Sequence, residues 1–287
     1  MTIKLKIRLM SLATLIQFIL PRWFSVQVAK ILGFLSYHIL RNQRARIAKN
    51  LSHILPPPIS KKTIVKYTRQ TFINYAICLA DLLRSPVLKK DQIISLVQVN
   101  LENFDRSVAE GNGVVLSSAH IGNWDFAGMF LSKLGYKLVA VTEPIPSGFT
   151  EAMNRYRGLG GMKLVSLTDK DQMNQSLERK STLVLLADRD LTGKGFELPC
   201  FDAKRSFPKG PAAFALKYKA PLLLGYLILN PKPGRPYLGV IEPEIQYSET
   251  GDFKQDVYNL TQILSQRINK IIAQYPDQWF VFKADWR

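Results

Sequence analysis

The sequence predicts an α/β protein: a mainly parallel central sheet covered by helices, with an N-terminal membrane-associated helical segment. Three observations predict it. Short β-branched runs alternate with helical segments over most of the chain, as in sheets whose crossovers are helices. The runs are apolar throughout rather than alternating, the pattern of strands buried on both faces. The first forty residues are instead apolar and basic, without strand character. At 287 residues, with no linker-like stretch, the chain reads as residues 1–40, a membrane-associating lead-in, and 41–287, one α/β domain.

Each element follows from local chemistry. Met1–Arg8 carries Lys4, Lys6 and Arg8. Leu9–Leu20 is mostly apolar but holds Ser11, Thr14 and Gln17, and falls short of the roughly 20 residues a membrane span needs. Pro21-Arg22 interrupts it, and no small-residue cleavage site follows. Trp23–Leu40 is a second apolar segment, followed by the basic residues Arg41, Arg44, Arg46 and Lys49. With Trp23 and Tyr37, this pair of segments suits helices lying in the membrane interface. Each basic residue then adds about 1 kcal/mol against anionic headgroups. Packing on the protein's own core is the alternative.

Residues 41–55 continue helically to Pro56-Pro57-Pro58, which no helix interior tolerates. Ser60 caps a helix reaching about Leu83. Ile93–Val99 reads as a short strand and Glu102–Ala109 as a helix. Strands are then expected at Gly113–Ala119, Leu138–Thr142, Lys163–Leu167, Ser181–Ala187, Pro221–Leu229 and Tyr237–Ile241. Between and after them, helices are expected at Trp124–Leu134, Thr150–Leu159, Asp171–Arg179, Pro211–Lys219 and Asp256–Gln274. Met129, Phe130 and Leu134 read as core, with lining of an acyl tunnel as the alternative.

Charge narrows the partners. Lys+Arg 39 against Asp+Glu 22 leaves +17 and a pI near 9.9, which calls for a polyanionic partner. An anionic membrane surface and a phosphate-rich coenzyme or acidic carrier protein both qualify. Nucleic acid does not, because no RNA-recognition, zinc or helix-turn-helix pattern is present. Lys204, Arg205, Lys209, Lys217 and Lys219 form a basic stretch, either a docking patch or a solvated face. Cys78 and Cys200 lie far apart, with no metal or disulfide framework near them, and read as reduced thiols. No metal site or resident cofactor is expected.

The sharpest local feature is Ser117-Ser118-Ala119-His120-Ile121-Gly122-Asn123-Trp124-Asp125, at the junction of a predicted strand and helix. Open α/β sheets place ligands at such strand ends. Asp125, one helical turn in, is placed to accept the Nδ1 hydrogen of His120 and leave Nε2 free to take a proton. On spacing alone, a helix-capping or core histidine fits equally well. No serine or cysteine sits in a nucleophile-elbow pattern.

The segment from Ser117 to Gly128 resembles the His-x4-Asp signature of the glycerolipid acyltransferase superfamily. It is closer still to the bacterial lipid A biosynthesis (late) acyltransferases and the related phosphatidylinositol mannoside acyltransferases. The resemblance extends along nearly the whole chain. It takes in Arg44 to Leu51, Glu143-Pro144, Arg155 to Gly160, Ala187-Asp188-Arg189-Asp190, Gly195 to Leu198, and Tyr275 to Phe280.

The resemblance implies a membrane-associated O-acyltransferase. Its donor is acyl-CoA or an acyl-acyl carrier protein and its acceptor a hydroxyl of a glycolipid. It implies His120 as general base, Asp125 as its orienter and Glu197 as a second partner or acceptor-binding group. Arg157 is expected to meet the oxyanion or a phosphate. Glu143, Asn123, Asp188, Arg189 and Asp190 are expected in substrate binding, Asp188 and Asp190 beside Arg189 alternatively in a structural ion-pair network. The implied location is the cytoplasmic face of the bacterial inner membrane, peripheral or N-terminally anchored. The lipid A enzymes usually carry a Pro-Asp-Gln-Asp-like block where this chain has Ala-Asp-Arg-Asp, nearer the mannoside enzymes. A lipid-directed hydrolase and a catalytically silent membrane scaffold are the competing readings.

Overall fold

The strands, in chain order, are β1 (Val97–Gln98), β2 (Val114–Ser118), β3 (Leu138–Thr142), β4 (Lys163–Ser166) and β5 (Thr182–Leu186). They continue as β6 (Phe196–Cys200), β7 (Ala203–Phe207), β8 (Leu222–Leu229) and β9 (Tyr237–Ile241). This computed structural model describes residues 8, 11, 12, 14–16, 19–143, 148–283 and 285–287. Lys4, Lys6 and Pro144, used above, lie outside them.

Seven strands form one sheet in the order β1-β9-β8-β2-β5-β3-β4. From β8 to β4 every pairing is parallel. β9 returns antiparallel to β8, with β1 parallel beside it at the edge. The sheet is mainly parallel, as the alternation predicts. β6 and β7 form a separate antiparallel hairpin. The hairpin escapes the strand pattern because Pro199, Lys204 and Arg205 interrupt it, and Phe201 turns it at φ 57°.

The helices are α1 (Arg22–Ile39), α2 (Arg41–Ile54), α3 (Lys61–Arg84), α4 (Lys90–Ser95) and α5 (Glu102–Ala109). They continue as α6 (Trp124–Leu134), α7 (Gly148–Leu159), α8 (Lys170–Glu178), α9 (Gly210–Tyr218) and α10 (Phe253–Gln274). Ser60 caps α3 by accepting from the Thr63 N–H at 3.0 Å, as expected. The strand expected at Ile93–Val99 is corrected to α4 plus the two residues of β1. Asp91 sits in the first turn of α4, and the Gln92 side chain accepts the Lys89 N–H at 2.8 Å. That cap chemistry outweighs the β-branched composition of the segment.

α1 has two unlike faces. Ser25, Ala29 and Gly33, four residues apart, are buried against α3. A Cβ on Gly33 would come within 2.7 Å of the Ile73 Cα, so only glycine allows this approach. Arg22 fastens the start of α1 through a two-pronged ion pair with buried Asp81 of α3, at 3.0 and 2.7 Å. The opposite face leaves Trp23, Val28, Ile31, Leu32, Leu35 and Ile39 in solvent. Among the described residues no helix is long and apolar enough to cross a membrane.

The two faces of the sheet are packed differently. On one, Val115, Leu183, Leu222, Leu224 and Ile228 meet Leu260, Leu264 and Ile268 of α10 in a solid core. On the other, α3 and α6 cover a second apolar cluster around Leu116, Phe126, Met129 and Leu223. A cavity of about 410 Å³ lies within that second layer, a size ordinary for a small-molecule site.

Candidate active site

β2 delivers His120 to the cavity. After Ser118 the chain turns before α6 begins, and neighbours pin each residue of the turn. The Ala187 N–H donates to the Ser118 carbonyl at 2.8 Å, and the Phe280 N–H to the His120 carbonyl at 2.7 Å. The Gly122 N–H donates to Gln278, and the Asn123 N–H to Leu227, at 2.8 and 2.7 Å. Gly122 has φ 57°, and a Cβ there would lie 2.0 Å from the Leu227 carbonyl oxygen. Glycine is required at that position.

The carboxylate at His120 is Asp188, not Asp125. The Asp188 Oδ1 lies 2.8 Å from the His120 Nδ1, and its Oδ2 accepts the His120 backbone N–H at 3.1 Å. The Trp279 Nε1–H donates to the same Oδ2 at 2.8 Å. The Asp188 side chain is 1% exposed and His120 14% exposed. Burial pushes the Asp188 carboxyl up, but the His120 charge and the hydrogen bonds from His120 and Trp279 outweigh it and bring it down to about 2. The His120 Nε2 has no hydrogen-bond partner among the described residues, and the ring lines the cavity.

Asp125 is engaged elsewhere, by Arg157. The Arg157 Nε and Nη2 grip its two oxygens at 2.7 and 3.1 Å, and both residues line the cavity. Burial alone would lower the Arg157 pKa, but the Asp125 carboxylate raises it above the usual value. Glu143, at the end of β3, pairs with Arg189 at 2.9 Å, and this pair also lines the cavity. The structure thus brings His120, Asp125, Arg157, Glu143, Asp188 and Arg189 into one neighbourhood.

Three other expected residues are placed differently. Glu197, 43% exposed, pairs with Arg287 and Lys204 rather than with His120. The Asp190 Oδ1 accepts the Thr192 and Gly193 N–H groups, and its Oδ2 the Gly195 N–H and the Ser206 hydroxyl. These bonds shape the loop before β6 and draw the Asp190 carboxyl below its usual value against the opposing effect of burial. Asn123 caps α6 by accepting the Phe126 N–H, and its Nδ2 donates to the Cys78 carbonyl and the Tyr237 hydroxyl. Asn123 lines the cavity but spends both ends of its amide inside the protein.

Trp279 was the missed contributor. The sequence offered one signal, its place in the Tyr275–Phe280 block. The structure explains that block: Ile121 and Trp279 form a β-bridge, and the Gln278 side chain bonds both backbone groups of Leu229. Arg205, which the sequence places in a basic docking patch or solvated face, is buried instead, 2% exposed.

Beyond the polar end, the cavity lining is apolar. Leu82, Leu101, Leu131, Leu138, Met153 and Met162 contribute from several elements, while Ala140, Val184, Gly225 and Gly239 keep the sheet floor low. Phe130, read as core, is buried and lines the cavity as well. Both cysteines are free and buried. Among the described residues no cluster of His, Cys, Asp and Glu is arranged to hold a metal ion.

Comparison with known proteins gives a consistent answer. The family model described as bacterial lipid A biosynthesis acyltransferase matches residues 4–287. A phosphatidylinositol mannoside acyltransferase of Mycobacterium tuberculosis is 26% identical over 84% of this chain and 76% of its own length. One from Mycolicibacterium smegmatis is 25% identical over 84% of this chain and 79% of its own. The crystal structure of the 1-acyl-sn-glycerophosphate acyltransferase PlsC from Thermotoga maritima covers 86% of this chain and 97% of its own, at 12% identity and TM-score 0.35. That likeness is too distant to argue from.

Proposed function

Because this chain belongs to the bacterial lipid A biosynthesis acyltransferase family and is an acyltransferase, we propose that it moves a fatty acyl group from a thioester to a hydroxyl of a membrane glycolipid. One observation carries the reading. A single imidazole stands at an apolar cavity, its Nδ1 held by a buried carboxylate and its Nε2 without a partner among the described residues.

The chemistry follows from that geometry. Asp188 fixes the tautomer with the hydrogen on Nδ1, so the Nε2 lone pair accepts the acceptor hydroxyl's proton as the oxygen attacks the thioester carbonyl. The imidazolium formed is stabilised by the ionised Asp188. The tetrahedral oxyanion meets the first turn of α6, whose dipole favours negative charge, and the Arg157 guanidinium. The C–S bond then breaks and His120 returns the proton to the departing thiolate. The products are an ester and a free thiol, and no acyl-enzyme is needed.

The remaining residues support binding. The apolar lining accepts the acyl chain. The Arg189–Glu143 pair and Arg157 face the polar part of the donor or acceptor. The solvent-facing ridge of α1, from Trp23 to Ile39, enters the headgroup region of an anionic membrane, with the basic start of α2 beside it. In this reading the enzyme works at the cytoplasmic face of the bacterial inner membrane, peripherally or held by its N-terminus. The donor is acyl-CoA or acyl carrier protein. The acceptor is a lipid A precursor or, as the relatives' names suggest, a phosphatidylinositol mannoside.

The test gives detergent-solubilised protein radiolabelled acyl-CoA or acyl-acyl carrier protein together with a membrane lipid extract. Label should enter a glycolipid, and His120→Ala should lower the rate about 10²–10⁴-fold. Release of free fatty acid alone would make the protein a hydrolase. No turnover with any donor, with membrane binding intact, would make it a silent scaffold.

A further inference from the structure

Arg205 carries a charge where burial makes one expensive. It is 2% exposed, and among the described residues it makes no ion pair and its Nη1 has no hydrogen-bond partner. Burying a guanidinium without a direct carboxylate partner costs several kcal/mol unless other groups compensate.

Two indole faces supply the compensation. The guanidinium carbon lies 4.9 Å from the ring centre of Trp279 and 4.9 Å from that of Trp286. At such distances the negative ring faces attract a cation, and more so when water is excluded. The chain end closes the arrangement: Arg287 and Lys204 of β7 exchange both backbone hydrogen bonds, at 3.1 and 3.0 Å, which holds Trp286 over Arg205. Trp279 presents its face to Arg205 and its Nε1–H to Asp188. One indole therefore joins the buried cation to the carboxylate that holds His120.

We propose that Arg205 is a positioning residue for the His120–Asp188 pair: its charge, caged by Trp279 and Trp286, keeps Asp188 ionised and moderates how readily His120 takes a proton. A cation over the indole polarises the ring and strengthens its N–H as a donor to Asp188. The same cation opposes a second positive charge forming on His120. Burial lowers the Arg205 pKa, and the nearby Asp188 counters that. The other charged or titratable groups near Arg205 are Cys200 of β6, Asp285 of the chain end and Arg189. Around the cavity His120 shares its surroundings with Asp125 and Arg157, with Glu143 and Arg189, and with Tyr75 of α3. Arg205 differs from these in sharing the Trp279 indole with Asp188. The inference uses the role proposed for His120, but its test does not depend on turnover.

The chain has 3 histidines, so isotope-labelled histidine gives a readable nuclear magnetic resonance titration, with His120→Asn identifying the His120 signal. In the full chain, Arg205→Met should raise the His120 titration midpoint by about 1 pH unit. The acidic limb of kcat/KM should move up by the same amount. Arg205→Lys keeps the charge and should leave the midpoint near the wild-type value. Trp286→Leu admits water to the cage and should give a smaller rise in the same direction; it carries the test if Arg205→Met does not fold. A purely structural arginine would lower thermal stability and leave the midpoint alone, and that result in Arg205→Met or Trp286→Leu overturns the proposal. A shifted midpoint in a protein that transfers no acyl group would support the charge coupling and reject the acyltransferase mechanism separately.

Discussion

The two faces of the central sheet are made from the same strands and do opposite jobs. On the α10 face, Leu183, Leu222, Leu224 and Ile228 are large, and they pack against Leu264 and Ile268 in one buried cluster. One residue along each strand, the other face presents Ser118, Ala140, Val184 and Gly225, and a cavity of about 410 Å³ remains above them. Strand periodicity of two is what allows this, since alternate residues never share a face. The difference teaches that stability and substrate room are separable here: one face packs large side chains against α10, while the other sets small residues among its large ones and keeps a cavity.

The largest expected effect lies at the end of the hollow face. Asp188→Asn should lower acyl transfer by about 10²-fold or more, because an amide supports the wrong tautomer of His120. Glu197→Gln, far out on the hairpin, should change the rate less than 2-fold, since exposed ion pairs contribute only about 0–1 kcal/mol. Equal losses in the two variants would erase the distinction drawn between these acids.

The solid face should respond in stability instead. Ile268→Ala removes a fully buried side chain and should cost about 2–5 kcal/mol in denaturant unfolding. The preferred acyl length should not change. If it did, the two faces would be coupled rather than separable.

Asp188 also links the site to stability through pH. Its carboxyl is held at about 2, below the ordinary value of 3.8. A depressed acid stabilises the fold above its unfolded pKa and loses that contribution as pH falls. The contribution, about 2 kcal/mol, is therefore complete above pH 4 and disappears towards pH 2. Urea unfolding across that range should show the decline, and Asp188→Asn should flatten it.

The smallest effect concerns substrate choice. Ala140→Leu places extra methyl groups on the cavity floor and should shift preference toward shorter acyl chains by about 10-fold in kcat/KM, with little change in melting temperature. Competition between donors of different length measures it. An unchanged ratio would mean the chain does not lie over β3.

Much of this was legible in the sequence because it is local. The strands β2 to β5, β8 and β9 follow from apolar runs, and α6 falls where periodicity and turn residues put it. His120 at a strand end and Gly122 in the turn after it were visible for the same reason. The hairpin β6–β7 was not legible, since Pro199 and two cations hide its alternation. Arg205 looked like surface because nothing near it in the chain announces Trp279 or Trp286.

By itself, then, the sequence determined the alternating elements, the mainly parallel sheet and the histidine presented at its edge, since these depend on neighbours a few residues apart. Only the tertiary structure decided which acid meets that histidine. Asp125 lies five residues on, yet α6 turns it toward Arg157. Asp188 lies 68 residues away, yet β5 pairs beside β2 and brings it to 2.8 Å. Strand order and helix direction arise from burying apolar faces against one another, a collective result that no short spacing encodes.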